Sequence, residues 1–450
     1  MPKKKTALTI EERLQQALVP AEEQPYEVPE NWVWVRLGTI AEIVTGGTPS
    51  KKHPEYYGGN FPFYKPSDLD QGRLTYDASE YLSEEGKKVS RIIPKNSTAV
   101  CCIGSIGKCG YLMCEGTTNQ QINSAIPKIN SLCLYYYLCT ENFVQNLLSM
   151  ASATTIAIVN KSKMESCAFP LPPLSEQQRI VERIEELFAK LDEAKERLQE
   201  VADSFAVRKA AILHKAFTGE LTKQWRCENG VSDESWEESN FGKFTVSQYG
   251  YTEKAHWEKI GPKFLRITDI QDNKVDWDEV PWCPIDEAGM KQYAVEIGDI
   301  MIARTGATTG KSYLICDDVE AVFASFLIRL KVVNKNLDYN YLYGYMQSED
   351  YWRQITDFSS GIAQPGVNAS KLKQIKFKCP TLPEQHEIVR LIDDLLARER
   401  KAQQATEQAL ASIDLMKKSI LARAFRGELG TNKASEASAL ELLKQVLAED

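Results

Sequence analysis

The 450-residue sequence has no apolar run that approaches the roughly 20 residues of a membrane helix. The segment from Met1 to Ala17 is rich in Lys, then in Glu and Gln, and it lacks the apolar core of a secretion signal. Eleven cysteines are scattered without the spacing of a disulfide framework. These absences predict a cytoplasmic protein whose cysteines are buried free thiols.

The sequence also lacks the motifs of the enzyme classes that it superficially approaches. The segment from Gly306 to Ser312 has three residues between its glycines, whereas a phosphate-binding loop requires four. The segment from Asn60 to Phe63 lacks the first proline of the Asn-Pro-Pro-Tyr/Phe motif of amino-methyltransferases, and no glycine-rich cofactor loop accompanies it. The four histidines show no metal spacing with cysteine. We therefore predict that this chain has no catalytic residues and binds no metal or cofactor.

An excess of basic residues is missing as well. The chain has 54 Lys and Arg against 62 Asp and Glu, which gives a net charge of −8. A nucleic-acid-binding protein usually carries a basic face. Such a face can coexist with acidic helices elsewhere, so the balance counts against DNA binding without excluding it. If the protein binds DNA, we expect partner subunits to supply part of the phosphate contact.

What the sequence does contain is an internal duplication. Residues 171–221 align without a gap with residues 379–429, and about 19 of the 51 positions are identical. Weaker similarity extends upstream, where the segment from Phe63 to Leu69 resembles that from Phe264 to Ile270. The repeating unit is therefore a variable globular half followed by a well-matched segment.

The matched segments predict two long helices. Apolar residues from Ile180 to Ile212 alternate in steps of four and three, which is typical of a coiled-coil seam. The first helix is expected from about Glu176 to Phe217, with a capping box at Ser175 and Gln178. Pro383 should open the second helix and Gly427 should end it. We expect the two helices to pack antiparallel, as duplicated halves related by a pseudo-twofold axis would.

The variable halves are rich in Tyr, Trp, Gly and short β-branched runs, which favours mixed α/β domains with short strands. Strands are expected at Ser97–Ile103 and Asp299–Arg304, and shorter helices around Leu132–Met150 and Tyr339–Asp357. The fold class is therefore α+β, with two globular domains separated by two long antiparallel helices. The predicted organisation is an N-terminal segment (1–24), a first domain (25–170), a central helix region (171–231), a second domain (232–378), a C-terminal helix region (379–430) and a tail (431–450).

Loops of both domains carry side chains of the kind that contact DNA. Arg and Lys pair with guanine edges, and Asn and Gln pair with adenine edges. The first domain has a basic loop from Thr45 to Lys52, which we expect to be flexible. Its DNA-binding candidates are Thr45, Gly46, Gly47, Thr48, Ser50, Lys51, Lys65, Ser67, Ser105, Lys108, Asn119, Gln120 and Gln121. Those of the second domain are Arg266, Thr268, Arg304, Thr305, Thr308, Lys311 and Gln364. For each residue taken alone, a merely solvated side chain remains the alternative.

The complete pattern resembles the specificity subunit of type I restriction–modification systems, over nearly the whole chain. The most specific marks are Leu171-Pro172-Pro173-Leu174 with Glu176-Gln177, the matching Leu382 with Glu384-Gln385, and the helix ends from Ala216 to Leu221 and from Ala424 to Leu429. The loop from Gly46 to Ser50 resembles the first recognition domains of that family. The second half departs there, because it has the segment Tyr249 to Thr252 instead.

The resemblance implies that each variable half is a target recognition domain and that the helices hold the domains apart. The partners would be double-stranded DNA, two methyltransferase subunits and restriction/translocase subunits. S-adenosylmethionine, ATP and Mg would then be bound by those partner subunits. The alternative from another functional class is a coiled-coil structural or adaptor protein that joins partners without reading DNA.

Overall fold

The structure is a computed structural model that describes residues 9–151, 157–271, 273–359 and 366–449. Its contacts divide the chain into two units. Unit 1 consists of Met1–Leu198 and Ala409–Asp450, and unit 2 consists of Gln199–Gln408. Both boundaries fall within long helices, so each unit contains one part of each of these helices.

The helices and strands of the described ranges are numbered in chain order. The strands are β1 (Val33–Arg36), β2 (Ala41–Thr45), β3 (Tyr57–Tyr64), β4 (Glu80–Leu82), β5 (Thr98–Cys101), β6 (Cys109–Tyr111), β7 (Thr117–Thr118), β8 (Ile122–Pro127), β9 (Ala168–Leu171), β10 (Glu237–Asn240), β11 (Thr245–Tyr249), β12 (Lys263–Leu265), β13 (Ile270–Gln271), β14 (Lys274–Val275), β15 (Ile300–Ala303), β16 (Ser312–Leu314), β17 (Ala321–Phe323), β18 (Leu327–Val332) and β19 (Lys376–Cys379). The helices are α1 (Ile10–Ala17), α2 (Leu37–Ile40), α3 (Glu84–Lys88), α4 (Ser131–Leu138), α5 (Glu141–Met150), α6 (Lys161–Glu165), α7 (Leu174–Thr218), α8 (Lys223–Asn229), α9 (Phe241–Phe244), α10 (Glu287–Tyr293), α11 (Tyr339–Tyr345), α12 (Glu349–Ser359), α13 (Ala369–Gln374), α14 (Leu382–Ala424) and α15 (Ala439–Glu449).

The strands of the two units follow one plan. Unit 1 has a four-stranded antiparallel sheet in the order β2-β8-β5-β6, and unit 2 has one in the order β11-β18-β15-β16. Beside these sheets, β3 pairs in parallel with β7 and β12 with β17. A two-stranded antiparallel sheet completes each unit, β1 with β9 and β10 with β19. The predicted internal duplication is therefore confirmed for the domains as well as for the helices.

Each shorter helix predicted from the sequence proves to be two helices. The first breaks between α4 and α5, where the Thr140 hydroxyl accepts the Phe143 N–H at 3.2 Å and starts a new helix. The second breaks between α11 and α12, where the Ser348 hydroxyl accepts the Tyr351 N–H at 3.4 Å. A hydroxyl side chain offers the backbone an alternative to helical hydrogen bonds. The apolar periodicity predicted helix correctly, but it did not reveal these internal caps.

The long helices span Leu174–Thr218 and Leu382–Ala424, close to the predicted bounds. The predicted capping box is wrong, because α7 begins before Ser175. The backbone N–H groups of Glu176 and Gln177 donate to Pro173 O at 2.9 and 3.0 Å, so the proline carbonyl caps the first turn. The side chain of Gln178 instead donates to Glu182 at 3.0 Å.

Pairing of the two helices is antiparallel within each unit, as predicted. In unit 1, Asp192 pairs with Lys417 and Lys195 pairs with Asp414, so numbers rise along α7 as they fall along α14. In unit 2, Arg208 Nε lies 2.9 Å from Glu399 Oε2. The seam is deepest next to the domains, where Ile180 and Ile184 are buried in unit 1. It is shallower elsewhere because a helix with a single helical partner covers only part of its surface; Leu187, Leu191 and Leu198 are half-buried, and Ala194 and Val201 are exposed.

A buried glutamate lies at the start of each long helix. In unit 1, the Glu176 carboxylate accepts the Trp32 Nε1–H at 2.7 Å, the Asn432 amide at 2.8 Å and the Thr431 hydroxyl at 3.2 Å. It therefore joins the start of α7 to the segment that follows α14.

Glu384 makes the corresponding contacts at the start of α14 in unit 2. Its carboxylate accepts the Thr222 hydroxyl at 2.6 Å, the Arg226 guanidinium at 2.7 Å and the Trp236 Nε1–H at 3.0 Å. Burial of either carboxylate without these partners would cost several kcal/mol. The Glu-Gln dipeptide that the sequence repeats therefore marks the point where the start of each long helix is bonded to the segment after the other.

All eleven cysteines lie in the described part of the chain and are free. The expectation of burial is wrong for Cys227 and Cys316, which are exposed.

Candidate nucleic-acid interface

One end of the four-stranded sheet of unit 1 brings the predicted loops of this unit together. Thr45, the last residue of β2, pairs with Asn123 near the start of β8, and Cys101 at the end of β5 pairs with Ile122. Val100 pairs with Cys109, the first residue of β6. Because adjacent strands are antiparallel, the loops 46–50, 102–108 and 119–121 all leave from the same end of the sheet. We call these loops the first recognition edge.

The loop after β2 is anchored to the loop before β8. Gly46 N–H donates to Ile122 O at 2.9 Å and Gly47 N–H to Thr118 O at 2.8 Å. The Thr48 hydroxyl donates to the Gln120 side chain. A Cβ on Gly46 would lie 2.1 Å from the Asn119 carbonyl oxygen, so only glycine fits there. These bonds hold the backbone of the first half of the loop against residues 118–122, and the flexibility of the loop stays a prediction.

The amide side chains of the edge divide into buried and exposed ones. Asn119 is 7% exposed and bonds Gln121 twice, through its Nδ2 at 3.0 Å and its Oδ1 at 3.1 Å. Gln120 is exposed, and Gln121 is partly exposed. Asn119 therefore shapes the loop, whereas Gln120 and Gln121 remain the candidates for contact with bases.

The basic candidates of unit 1 divide into one exposed lysine and two lysines that pair with carboxylates. Lys51 is exposed in the anchored loop. Lys65 pairs with Glu80 at 2.9 Å, and Lys108 pairs with Asp70 at 2.6 Å. Of the remaining candidates in unit 1, Thr45 is half-buried, and Ser50, Ser67 and Ser105 are exposed. Lys51 is thus the better placed to meet a phosphate.

The sequence did not indicate Arg91 as part of this edge. Its exposed guanidinium donates to Thr45 O at 2.5 Å, directly beside the anchored loop. Arg91 lies far from the loop in the sequence and belongs to no repeated motif, so no local signal could have identified it. It adds a cation to this end of the sheet.

The corresponding end of the sheet in unit 2 is formed by the same pairings. Tyr249 at the end of β11 pairs with Ile328, and Ala303 at the end of β15 pairs with Leu327. Ile302 pairs with Ser312, the first residue of β16. Residues 250–257, 304–311 and 324–326 leave from this end, and we call them the second recognition edge.

Arg304 occupies the centre of the second recognition edge. Its backbone N–H donates to Phe326 O at 3.1 Å, and its own carbonyl accepts the Val367 N–H at 2.9 Å. Its guanidinium lies 5.1 Å from the centre of the Tyr249 ring and donates to Ser325 O at 3.3 Å. The side chain remains partly exposed, so it combines a fixed position with access to a ligand.

The other predicted residues of unit 2 lie nearby with different partners. Arg266 pairs with Asp269 at 2.6 Å, and Lys311 donates to Ile270 O at 3.0 Å. Thr268 is exposed, and Thr305 and Thr308 are partly exposed. Gln364 lies outside the described residues. Contact of any of these residues with DNA stays a prediction.

Exposed aromatic rings at the second edge were also missed. Phe326 is 62% exposed, Trp257 67% and Tyr249 41%. Arg266 lies 5.7 Å from the centre of the Trp257 ring. Exposed rings of this size usually indicate a binding surface rather than a core. The amino-acid composition shows that both domains are rich in Tyr and Trp, but composition does not distinguish buried from exposed rings.

Comparisons with known proteins agree on one family. The model of the type I restriction modification DNA specificity domain matches residues 29–203 and again 234–409. The chain belongs to the type I restriction–modification DNA specificity family. Two matches in one chain correspond to the internal duplication, so this specificity subunit carries two specificity domains and fits a target recognised in two parts.

Curated relatives and solved structures extend over nearly the whole subunit. The chain is 26% identical to the EcoBI specificity subunit of Escherichia coli, covering 94% of this chain and 93% of the relative. It is 23% identical to the EcoKI specificity subunit of Escherichia coli (strain K12), covering 94% and 96%. The fold is similar to that of the HsdS subunit from Thermoanaerobacter tengcongensis, with a TM-score of 0.64 at 18% identity over 90% of this chain and 99% of that one.

Members of this specificity family are generally non-catalytic, which agrees with the expectation that the chain is not itself an enzyme. Among the residues that the structure describes, no helix combines the length and apolarity needed to cross a membrane.

Proposed function

We propose that this specificity subunit acts in the cytoplasm and reads a bipartite DNA target, with one half-site for each recognition edge. The observation that supports this is the equivalence of the two edges in backbone and their difference in side chains. The first edge presents Gln120 and Gln121, and the second presents Arg304 and Phe326. Amide and guanidinium groups favour different bases, so two unlike half-sites are expected.

We further propose that the partners are two methyltransferase subunits and restriction/translocase subunits. In this proposal the partner subunits, and not this chain, bind S-adenosylmethionine, ATP and Mg. Equivalent exposed apolar residues on the helices support paired docking. Val207 on α7 is 70% exposed, and Leu415, at the matching position 208 residues later on α14, is 65% exposed. A partner that covers these two positions would remove their apolar surface from water.

The long helices are proposed to set the length of the unread spacer. A helix of the 45 residues of α7 is about 68 Å long at 1.5 Å per residue. Insertion of one heptad into both helices adds about 10 Å, which is about three base-pair steps. We expect the spacer to lengthen while both half-sites stay unchanged. An unaltered spacer would contradict this role for the helices.

The decisive experiment is an adenine-methylation map of host DNA with and without this gene. A split motif that disappears on deletion supports the proposal and identifies the target. Exchange of residues 232–378 for those of another family member should change one half-site only. Binding that depends on neither sequence nor salt would instead favour an adaptor, since DNA binding weakens steeply as salt rises.

A further inference from the structure

Residues 17–30 pack along the outer edge of β1 in unit 1. Val19 N–H donates to Trp34 O at 3.0 Å, and Leu18 forms an antiparallel bridge with Val35. The Tyr26 ring then packs edge-on against Trp34, with ring centres 4.9 Å apart. Val19 and Tyr26 share an apolar cluster with Trp34 and Ala168. The segment therefore adds to the β1–β9 sheet by its backbone and anchors itself by an aromatic side chain.

Unit 2 has the equivalent strand, β10, with its outer edge open. Phe241 N–H donates to Ile375 O at 3.0 Å, and bonded and non-bonded positions alternate along an antiparallel pair. Glu238 therefore turns its backbone N–H and C=O away from β19, as Trp34 does from β9. Within the described ranges, no strand pairs with this outer edge.

A groove of about 680 Å³ lies beside this edge. Its lining includes Phe217, Tyr345 and Phe377, whose rings pack in one aromatic cluster. It also includes Glu238 and Lys376, which are the register equivalents of Trp34 and Ala168. These two counterparts form an ion pair with each other, with Lys376 Nζ 3.1 Å from Glu238 Oε1. Within the described ranges, no segment adds to the outer edge of β10 as residues 17–30 add to that of β1.

The residues preceding β10 are not available to fill this groove. Arg226 in α8 and Trp236 before β10 are both bonded to the buried Glu384. Only a short segment connects α8 to β10, and Arg226 Nε also bonds Asp233 within it at 2.8 Å. Among the residues that the structure describes, unit 2 therefore has no segment of its own along the outer edge of β10.

We propose that the open edge of β10 and its groove bind an extended peptide segment of a partner protein. The segment adds to Glu238 as residues 17–30 add to Trp34, and it places a tyrosine in the groove. Backbone addition to an exposed strand, with pockets for alternate side chains, is a general mode of peptide recognition. The inference rests on the proposed function only in assigning the segment to a partner subunit. A second copy of this chain is less suited to supply the segment, because its own residues 17–30 already pack against its own β1.

A competing explanation is that β10 is merely a protected edge. It is short, and its exposed Glu237 and Glu238 are the kind of charges that prevent strands from pairing between molecules. In that case no peptide should bind there.

The test uses a fluorescent synthetic peptide of residues 17–31 and the full-length protein, followed by anisotropy. We expect saturable binding, and we expect a Tyr26→Ala peptide to bind at least about tenfold more weakly, because the ring supplies the anchor. Failure of the wild-type peptide to bind, or equal binding of both peptides, would overturn the proposal.

Two substitutions at one position locate the binding. Glu238→Pro removes the outward N–H without touching the bonds to β19, and we expect it to weaken peptide binding at least about tenfold. Glu238→Gln keeps the N–H and should bind as the wild type does. If Glu238→Pro lowers stability, Thr218→Trp provides a second test. This substitution fills the groove from an exposed lining position and should also abolish peptide binding.

Two further measurements separate this inference from the proposed function. All three variants should retain sequence-specific DNA binding, because β10 lies in the two-stranded sheet with β19, whereas the second recognition edge belongs to the four-stranded sheet. Loss of half-site recognition by these variants would therefore count against the groove as a separate site. Sedimentation of the wild-type protein should show no self-association through residues 17–30; a dimer abolished by Glu238→Pro would identify a second copy as the occupant and overturn the assignment to a partner.

Discussion

The two recognition edges have the same backbone and different side chains. Gly46 N–H bonds Ile122 O at 2.9 Å in unit 1, and Gly250 N–H bonds Leu327 O at 3.3 Å in unit 2. A Cβ on either glycine would lie about as close to a carbonyl oxygen, 2.1 Å for Gly46 and 2.2 Å for Gly250. The scaffold of each edge therefore depends on hydrogen bonds and close backbone contacts that are independent of the exposed side chains.

Equivalent positions on this scaffold carry unrelated residues. The carbonyls of Cys102 and Arg304 each accept a backbone N–H at 2.9 Å, from Val159 and Val367. Yet Cys102 is 2% exposed, and burial raises the pKa of its thiol to about 12, so it is a neutral core residue. Arg304 is partly exposed and charged. One backbone can thus present different chemistry to two half-sites, which is what a bipartite reader requires.

The largest difference between the units that we expect to measure concerns their buried glutamates. Glu384→Ala leaves the Arg226 guanidinium, 8% exposed, with the exposed Asp233 and the neutral Thr222 hydroxyl as partners, and should cost about 3–5 kcal/mol in the free energy of unfolding. Glu176→Ala removes the acceptor of three neutral donors, of which the Asn432 amide still bonds Asn31, and should cost about 1–3 kcal/mol. Chemical unfolding followed by hydrogen exchange in each unit measures both values; equal costs would show that the ion pair is not decisive.

The next effect tests whether the shared scaffold is necessary. Gly46→Ala places a methyl group against the Asn119 carbonyl, and overpacking of this kind costs about 1–3 kcal/mol. We expect recognition of one half-site to fall by up to about 100-fold. Gly47→Ala is the matched control, because its Cβ would meet nothing within 4 Å. Footprinting of both half-sites gives the answer, and a similar loss for the two variants would contradict the steric argument.

A smaller effect should separate the two edges by chemistry. Arg304→Ala removes a charged donor and is expected to weaken DNA binding by about 1–3 kcal/mol and to relax one position of one half-site. Cys102→Ala changes a buried residue and should alter stability but not specificity. Binding to a library of randomised targets compares the variants. If Arg304→Ala weakened all targets equally, its contact would be with phosphate rather than with a base.

Repetition and periodicity predicted most of the fold. A seam that repeats at an offset of 208 residues predicts two helices, and antiparallel pairing was predicted because duplicated halves then relate by a pseudo-twofold axis. In the structure, each buried glutamate joins the start of one helix to the segment after the other. The breaks at Thr140 and Ser348 could not be predicted from apolar periodicity, because a single hydroxyl caps each new helix.

The candidate site was predicted as a set of loops rather than as a surface. Residue type made Arg304, Gln120, Asn119 and Lys108 equal candidates, and it could not show that Asn119 is buried or that Lys108 is paired. These properties depend on contacts between residues that are distant in the sequence. The same reason explains why Arg91 was missed.

The smallest expected effect distinguishes Lys108 of the first recognition edge from Lys51, which directly follows its loop 46–50. Lys51 is exposed, whereas Lys108 pairs with Asp70 at 2.6 Å. A lysine that neutralises a phosphate contributes about 0.9 to the slope of log affinity against log salt. Lys51→Ala should therefore lower this slope by about 0.9 with unchanged sequence preference, and Lys108→Ala should change it much less because its charge is already balanced. Titration of one oligonucleotide over a range of salt measures both slopes. If Lys108→Ala lowered the slope more than Lys51→Ala, Lys108 would leave Asp70 when DNA binds. Lys108 rather than Lys51 would then contact the phosphate.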